Sequence, residues 1–147
     1  VNDLMCENTG GNKFVTFFWG FVDPVARTLN YVNAGHNYPY LIHADGSIDR
    51  LDKGGMILGV LKTVMPYEEA TVKLKHGDLL LLFTDGVSEA MSHDSMEYGE
   101  ERIEAVLKKH GCEPAQRIID LLHEDIIQHA DGAQQSDDIT MMVLKVA

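Results

Sequence analysis

Residues 79–87, Leu79-Leu80-Leu81-Leu82-Phe83-Thr84-Asp85-Gly86-Val87, run through five large apolar side chains and stop abruptly at a carboxylate and a glycine. A short run that is apolar on both faces and ends in an Asp-Gly turn predicts a strand buried on both faces, with Asp85 at its mouth. A second run, Ile139 to Val146, apolar on both sides apart from Lys145, predicts another core strand, entered through Ser136-Asp137-Asp138. If the two strands are antiparallel neighbours, Asp85 and Asp137 reach the same rim of a sheet.

Outward from this stretch the chain reads as strands, then helices, then the last strand. Phe14 to Val22 is almost continuously apolar and predicts a strand buried on both faces. Arg27 to Asn33 follows the Asp23-Pro24 turn, and Tyr38 to His43 joins Ser47 to Leu51 through Asp45-Gly46, a dipeptide that tolerates the positive φ of a tight hairpin. Glu69 to Leu74 alternates, with Ala70, Val72 and Leu74 on one side, so one face meets water. Ile103, Val106 and Leu107 predict a short amphipathic helix between Gly99 and Gly111, with Gly111 as a left-handed stop. A longer helix begins near Pro114, at a first-turn position, and stacks Ala115, Ile118, Ile119, Leu122 and Ile126 along one stripe. This order predicts one α+β domain over residues 1–147, with helices covering a largely antiparallel sheet system. Two stacked sheets would explain the strands that are apolar on both faces.

Composition narrows the function classes. With 147 residues, 45% hydrophobic and 24% charged, the chain suits one packed domain. A net charge of −11 with a pI near 4.9 argues against nucleic acid and anionic lipid as partners. The apolar runs are far shorter than the roughly 18 residues that cross a bilayer. The opening Val1-Asn2-Asp3-Leu4 carries no secretory pattern and reads as a cut inside a longer chain. Cys6 and Cys112 are too few for a disulfide framework and fit a reducing cytoplasm. No HExxH pattern occurs, and His123 and His129 fall on different faces of a helix, which argues against zinc. Met91, Met96, Met141 and Met142 read as packing residues.

Asp85 and the pair Asp137-Asp138 are the carboxylates placed for chemistry. Adjacent, partly buried carboxylates repel one another unless a cation or proton relieves them, and a hard divalent ion with oxygen ligands does so. The competing account is structural: Asp-Gly is a common turn, and an Asp before a strand often only caps a loop.

Asn33-Ala34-Gly35-His36-Asn37-Tyr38-Pro39, Leu58-Gly59-Val60, Lys75-His76-Gly77-Asp78, Thr84-Asp85-Gly86-Val87-Ser88-Glu89-Ala90, Tyr98-Gly99-Glu100-Glu101-Arg102 and Asp137-Asp138-Ile139-Thr140 share an order and spacing. In that order and spacing they resemble the PPM (protein phosphatase 2C-like) family. More narrowly, they look like its bacterial branch typified by the sporulation stage II E phosphatase and the sigma-factor stress regulators. The resemblance covers nearly the whole chain from Phe14 onward.

The resemblance implies an antiparallel β-sandwich flanked by α-helices, incomplete at the N-terminus, with two Mn²⁺ or Mg²⁺ ions bridged by water at one rim. It places Asp85 on one ion, Asp137 on the other, and Asp138 at the neighbouring family position. The implied reaction is hydrolysis of phosphoserine or phosphothreonine in a regulatory protein, such as an anti-sigma-factor antagonist, by a metal-activated water. An upstream sensor domain is implied as well.

The family's first metal motif, an Asp in a D-x-S-G-x-G-like segment, has no counterpart here; neither Asp3 nor Gly10-Gly11 supplies it. The fragment alone is therefore expected to bind metal weakly and turn over poorly, and open strand edges would favour a homodimer. The rival expectation is an inactive phosphatase-like binding or dimerisation module. His36 is expected in a structural loop role rather than as a general acid. Glu89 either supports Asp85 from beyond the ion's direct ligands or has a solvated or turn-stabilising role, and Cys112 lacks the basic setting of a reactive thiol.

Overall fold

The computed structural model describes residues 1–9 and 13–147, so Gly10 and Gly11, considered above for the first metal motif, lie outside the described residues. The chain divides into two compact units, Val1–Tyr38 with Leu51–Leu74, and Pro39–Arg50 with Lys75–Ala147.

The first unit holds helix α1 (Asn2–Thr9), strands β1 (Phe17–Asp23) and β2 (Thr28–Ala34), and, from its second segment, β5 (Gly54–Gly55) and β6 (Ala70–Lys73). β1 pairs antiparallel with β2 along its whole length, from Phe17 opposite Ala34 to Asp23 opposite Thr28. The other edge of β2 is shared: β6 pairs antiparallel with its first half, and β5 pairs parallel at Asn33 and Ala34. The parallel piece departs from the expected antiparallel grammar. Its strand is only Gly54-Gly55, too short to carry any periodicity.

β1 corrects a second expectation. Phe18 and Val22 are half-buried, and Phe18 stacks on Tyr31 at 5.6 Å. Phe17, Trp19 and Phe21 on the opposite side are 43%, 48% and 53% exposed, so the strand is not buried on both faces. An aromatic run fixes the strand; what covers its second face is a long-range matter. The N-terminal helix was not expected as such. It is anchored by Asn2, whose amide donates to the Leu61 carbonyl and the Thr63 hydroxyl and whose Oδ1 accepts from the Gly59 N–H.

The second unit holds β3 (Tyr40–Ile42), β4 (Ile48–Arg50), β7 (Leu79–Phe83), the single-turn helix α2 (Asp85–Ser88), α3 (Glu100–His110), α4 (Ala115–Ala130) and β8 (Met141–Lys145). Its sheet runs β4-β3-β7-β8, antiparallel throughout. Gly46 adopts φ +84° in the β3–β4 hairpin, as the Asp-Gly turn requires, and Asp45 Oδ1 accepts from the Ser47 N–H and hydroxyl.

β7 is one of the two inner strands, with β3. Leu79, Leu81 and Phe83 pack with Ile103 and Leu107 of α3 and Ile118, Leu122 and Ile126 of α4, while Leu80 on the opposite face is also buried. Each such side chain contributes about 1.5–3 kcal/mol on leaving water, which makes this stretch the core of its unit. Arg50 ties β4 to α3, reaching Glu100 at 2.8 Å and Glu104 at 3.0 Å.

Three smaller expectations change. Gly111 closes α3 in the right-handed region, with φ −59°, and it is Asp131 that provides a left-handed stop, at the end of α4. Pro114 sits one residue before α4, as its cap, rather than inside the first turn. β8 is an edge strand and only half-buried: Met141 and Val143 pack against the core, but Met142 is 56% exposed, and Met96, in the loop between α2 and α3, is 64% exposed. An edge strand has a neighbour on one side only, so its outward side chains lose the cover that a central strand enjoys.

Candidate metal centre at the ends of β7 and β8

β7 and β8 pair from Leu79 opposite Lys145 to Phe83 opposite Met141, so the residues after Phe83 and before Met141 leave the sheet at the same end. The pairing does not stop at the last strand residues. The Thr84 N–H donates to the Thr140 carbonyl at 3.1 Å, continuing the ladder by one rung. There the chain turns into α2, and the Thr84 carbonyl accepts from the Val87 N–H instead of facing β8. The Thr84 hydroxyl takes over on the β8 side: it accepts from the Thr140 N–H at 3.0 Å and donates to the Asp138 carbonyl at 2.9 Å.

Gly86 completes the approach. A Cβ at that position would lie 2.5 Å from the Asp138 carbonyl oxygen and 3.2 Å from that of Asp137, a distance only a glycine permits. The backbone of Asp85-Gly86 is thus pressed against that of Asp137-Asp138. All three acidic residues are exposed at this rim. Asp85 Oδ1 accepts from the Gly86 N–H at 3.0 Å, and Asp137 Oδ1 from the Asp138 N–H at 2.6 Å, so each carboxylate folds back on its own loop.

The helix carrying Asp85 is held from behind. The Gly99 N–H donates to the Ser88 carbonyl and the Tyr98 N–H to the Ala90 carbonyl, both at 2.8 Å. The Tyr98 hydroxyl in turn donates to Asp125 of α4 at 2.6 Å. Burial, then the hydrogen bond to Asp125, pushes the Tyr98 hydroxyl well above the usual tyrosine range, so it stays protonated as a donor. Neither Thr84 nor the Tyr98–Asp125 pair was singled out from sequence as site support. The available signals were a hydroxyl residue directly before Asp85, and Asp125 three residues along the buried face from Leu122.

The remaining candidates are Glu89, His36 and the two cysteines. Glu89 is exposed, and it is its backbone N–H, not its carboxylate, that meets Asp85, at the carbonyl oxygen. His36 lies in the other unit, in a turn closed by Asn33, and its Nδ1 sits 3.1 Å from the Thr16 hydroxyl. Cys6 and Cys112 are free.

In donor chemistry the rim suits a hard divalent cation: three carboxylates and the carbonyls beside them are all oxygen. In donor number it is short, because among the described residues no group of three or more His, Cys, Asp or Glu is arranged to hold a metal ion. Ions held here would complete their shell with water or with ligands from elsewhere.

The family described as stage II sporulation protein E (SpoIIE) matches residues 1–147. This chain belongs to the SpoIIE family. Among its relatives, protein IcfG of Synechocystis is 32% identical over 98% of the chain, and phosphoserine phosphatase RsbU of Bacillus subtilis 25% identical over 99%. The chain spans 23% and 43% of the lengths of these two proteins. The solved SiaA-PP2C domain of Pseudomonas aeruginosa superimposes with a TM-score of 0.78 at 22% identity, over 92% of this chain and 53% of that one. The SpoIIE phosphatase domain from Bacillus subtilis gives 0.67 at 22% identity, over 89% and 56%. The SpoIIE-family chain therefore has the α+β fold of the PP2C phosphatase domains, with mainly antiparallel sheets and helices. No helix among its described residues is long and apolar enough to cross a membrane.

Proposed function

We propose that residues 1–147 form part of one PP2C-type phosphatase domain that hydrolyses phosphoserine or phosphothreonine in a regulatory protein of bacterial signalling, in the cytoplasm. The observation that carries this reading is the contact of the Asp85-Gly86 backbone with Asp137-Asp138 at one sheet rim. The names of its relatives support it: RsbU is a phosphoserine phosphatase, and the solved neighbours include a phosphatase domain presoaked with Mn and RsbX in complex with magnesium.

In this reading Asp85, at the mouth of β7, would hold one Mn²⁺ or Mg²⁺ ion, and Asp137, in the loop entering β8, would hold the other, with Asp138 beside it. Paired ions, when bound, make hydroxide available from water near neutral pH and screen the charge of a phosphate monoester. Asp85 and Asp137 would serve as ligands through carboxylates that accept from the Gly86 and Asp138 N–H groups, while the Thr84 and Gly86 contacts keep their loops together. Attack by water in line with the leaving serine or threonine oxygen requires no covalent intermediate on the protein.

The test is Mn²⁺-dependent phosphate release from a phosphoserine protein by the full-length protein that carries this chain. Asp85→Asn and Asp137→Asn should each abolish it, and unchanged turnover in both variants would refute the assignment. A second reading, an inactive binding or dimerisation module, is favoured by the incomplete ligand set among the described residues. It predicts no Mn²⁺-dependent turnover in the unsubstituted protein.

A further inference from the structure

We infer that Thr84 is the positioning residue of this centre, its hydroxyl setting the spacing between the Asp85 turn and the Asp137-Asp138 loop. The inference rests on the reading of these aspartates as ion ligands.

A Ser or Thr in the residue before a helix ordinarily turns its side-chain oxygen onto the helix's own first N–H groups. Thr84 occupies that position before α2, in extended conformation with φ −87° and ψ 161°, but makes no such cap. Its carbonyl is already committed to α2 through the Val87 N–H, so the strand ladder would lose the acceptor for its next donor, the Thr140 N–H. The hydroxyl fills that gap, accepting from Thr140 and donating to the carbonyl of Asp138, one residue from the ligand Asp137. One side chain thus grips both ends of the short segment 138–140 and ties it to the residue preceding Asp85. Gly86 sets how near the two backbones can come, and Thr84 keeps them there.

Loss of the hydroxyl leaves the Thr140 N–H and the Asp138 carbonyl without their partner while the fold's core stays in place. Removing a residue that orients metal ligands typically lowers metal affinity about 10–100-fold. Serine keeps the hydroxyl, whereas valine keeps the shape without it.

The experiment compares wild type, Thr84→Val and Thr84→Ser in the full-length protein, by Mn²⁺ titration followed with electron paramagnetic resonance and by amide hydrogen exchange at Thr140. The expected result is a Mn²⁺ dissociation constant raised about tenfold or more in the valine variant, with faster exchange at Thr140. Serine should return both toward wild type. Wild-type Mn²⁺ affinity in Thr84→Val, or serine no better than valine, overturns the inference. Asp85→Asn and Asp137→Asn are titrated alongside: if these bind Mn²⁺ as wild type does, the ligand reading fails, whatever Thr84 does. Should Thr84→Val fail to fold, Thr140 exchange in the wild-type protein still decides, since an N–H exchanging at the free-peptide rate overturns the pinning contact.

Discussion

Replacing Gly86 by alanine adds one methyl group at the closest approach between the two acidic loops. The added carbon would lie 2.5 Å from the Asp138 carbonyl oxygen, 2.9 Å from its carbon and 3.2 Å from the Asp137 oxygen. A comfortable carbon–oxygen contact is about 3.3 Å or longer, so the shortfall is roughly 0.8 Å. Both obstacles are backbone, which cannot swing aside as a side-chain tip can. Overpacking of this kind costs about 1–3 kcal/mol, and a clash with two main-chain carbonyls falls in the upper part of that range. Against it stands a gain of up to about 1 kcal/mol for alanine over glycine in a helical turn. The clash wins, with a net loss of about 1–2 kcal/mol, or a urea midpoint lowered by about 1 M at a slope typical of a small protein. Urea unfolding followed by circular dichroism measures it, with Gly46→Ala as the comparison: there nothing lies within 4 Å and only the positive φ is strained. Amide exchange at Thr140 should quicken in Gly86→Ala and stay unchanged in Gly46→Ala. A Gly86→Ala protein as stable as wild type, with Thr140 equally protected, would show that the two loops are not pressed together as described.

Two further predictions concern stability. His43 Nε2 lies 3.0 Å from Asp49, and its Nδ1 lies 3.2 Å from the fully buried Asp78, whose other oxygen accepts from the Lys75 N–H. Asp45 adds negative charge nearby, while Lys108 and Lys145 line the cavity beside the ring. The hydrogen bond to Asp49 foremost, then Asp78, holds the imidazole above its usual range, partly offset by burial. A raised folded-state pKa gives stability that is complete below about pH 6.5, the unfolded value, and is lost as pH rises through the folded one. The gap in urea midpoint between wild type and His43→Gln should therefore be larger near about pH 5.5 than near about pH 8.5; an equal gap at both would sink the linkage. Leu122→Ala, at a side chain fully excluded from solvent, should cost about 2–5 kcal/mol by thermal or urea unfolding. A loss below about 1 kcal/mol would mean that the α4 face is not packed on β7.

Much of the second unit was legible in the sequence. Five consecutive apolar residues closed by Asp85-Gly86 specify a central strand whatever surrounds it, because no exposed strand tolerates that pattern on both faces. The 118, 122, 126 stripe likewise fixes the inner face of α4, and Asp45-Gly46 fixes the β3–β4 register through local backbone geometry. Asp85 and Asp137 could be nominated because strand ends are where a buried run must release its chain to solvent.

The same rules misjudged Phe17, Trp19, Phe21 and Met142, because an apolar residue reports its preference for burial and not whether a neighbour arrives. β5 was silent, since two glycines carry no pattern. Composition and periodicity set which segments are strands and helices and which carboxylates stand at their ends. Only the folded chain decided that Thr84 would point its hydroxyl across to Thr140 and Asp138 rather than along α2, and that Gly86 would rest on the carbonyls of residues 137 and 138. These contacts join groups more than fifty residues apart, and their existence depends on sub-ångström fit between backbones, a quantity that no local run of side chains encodes.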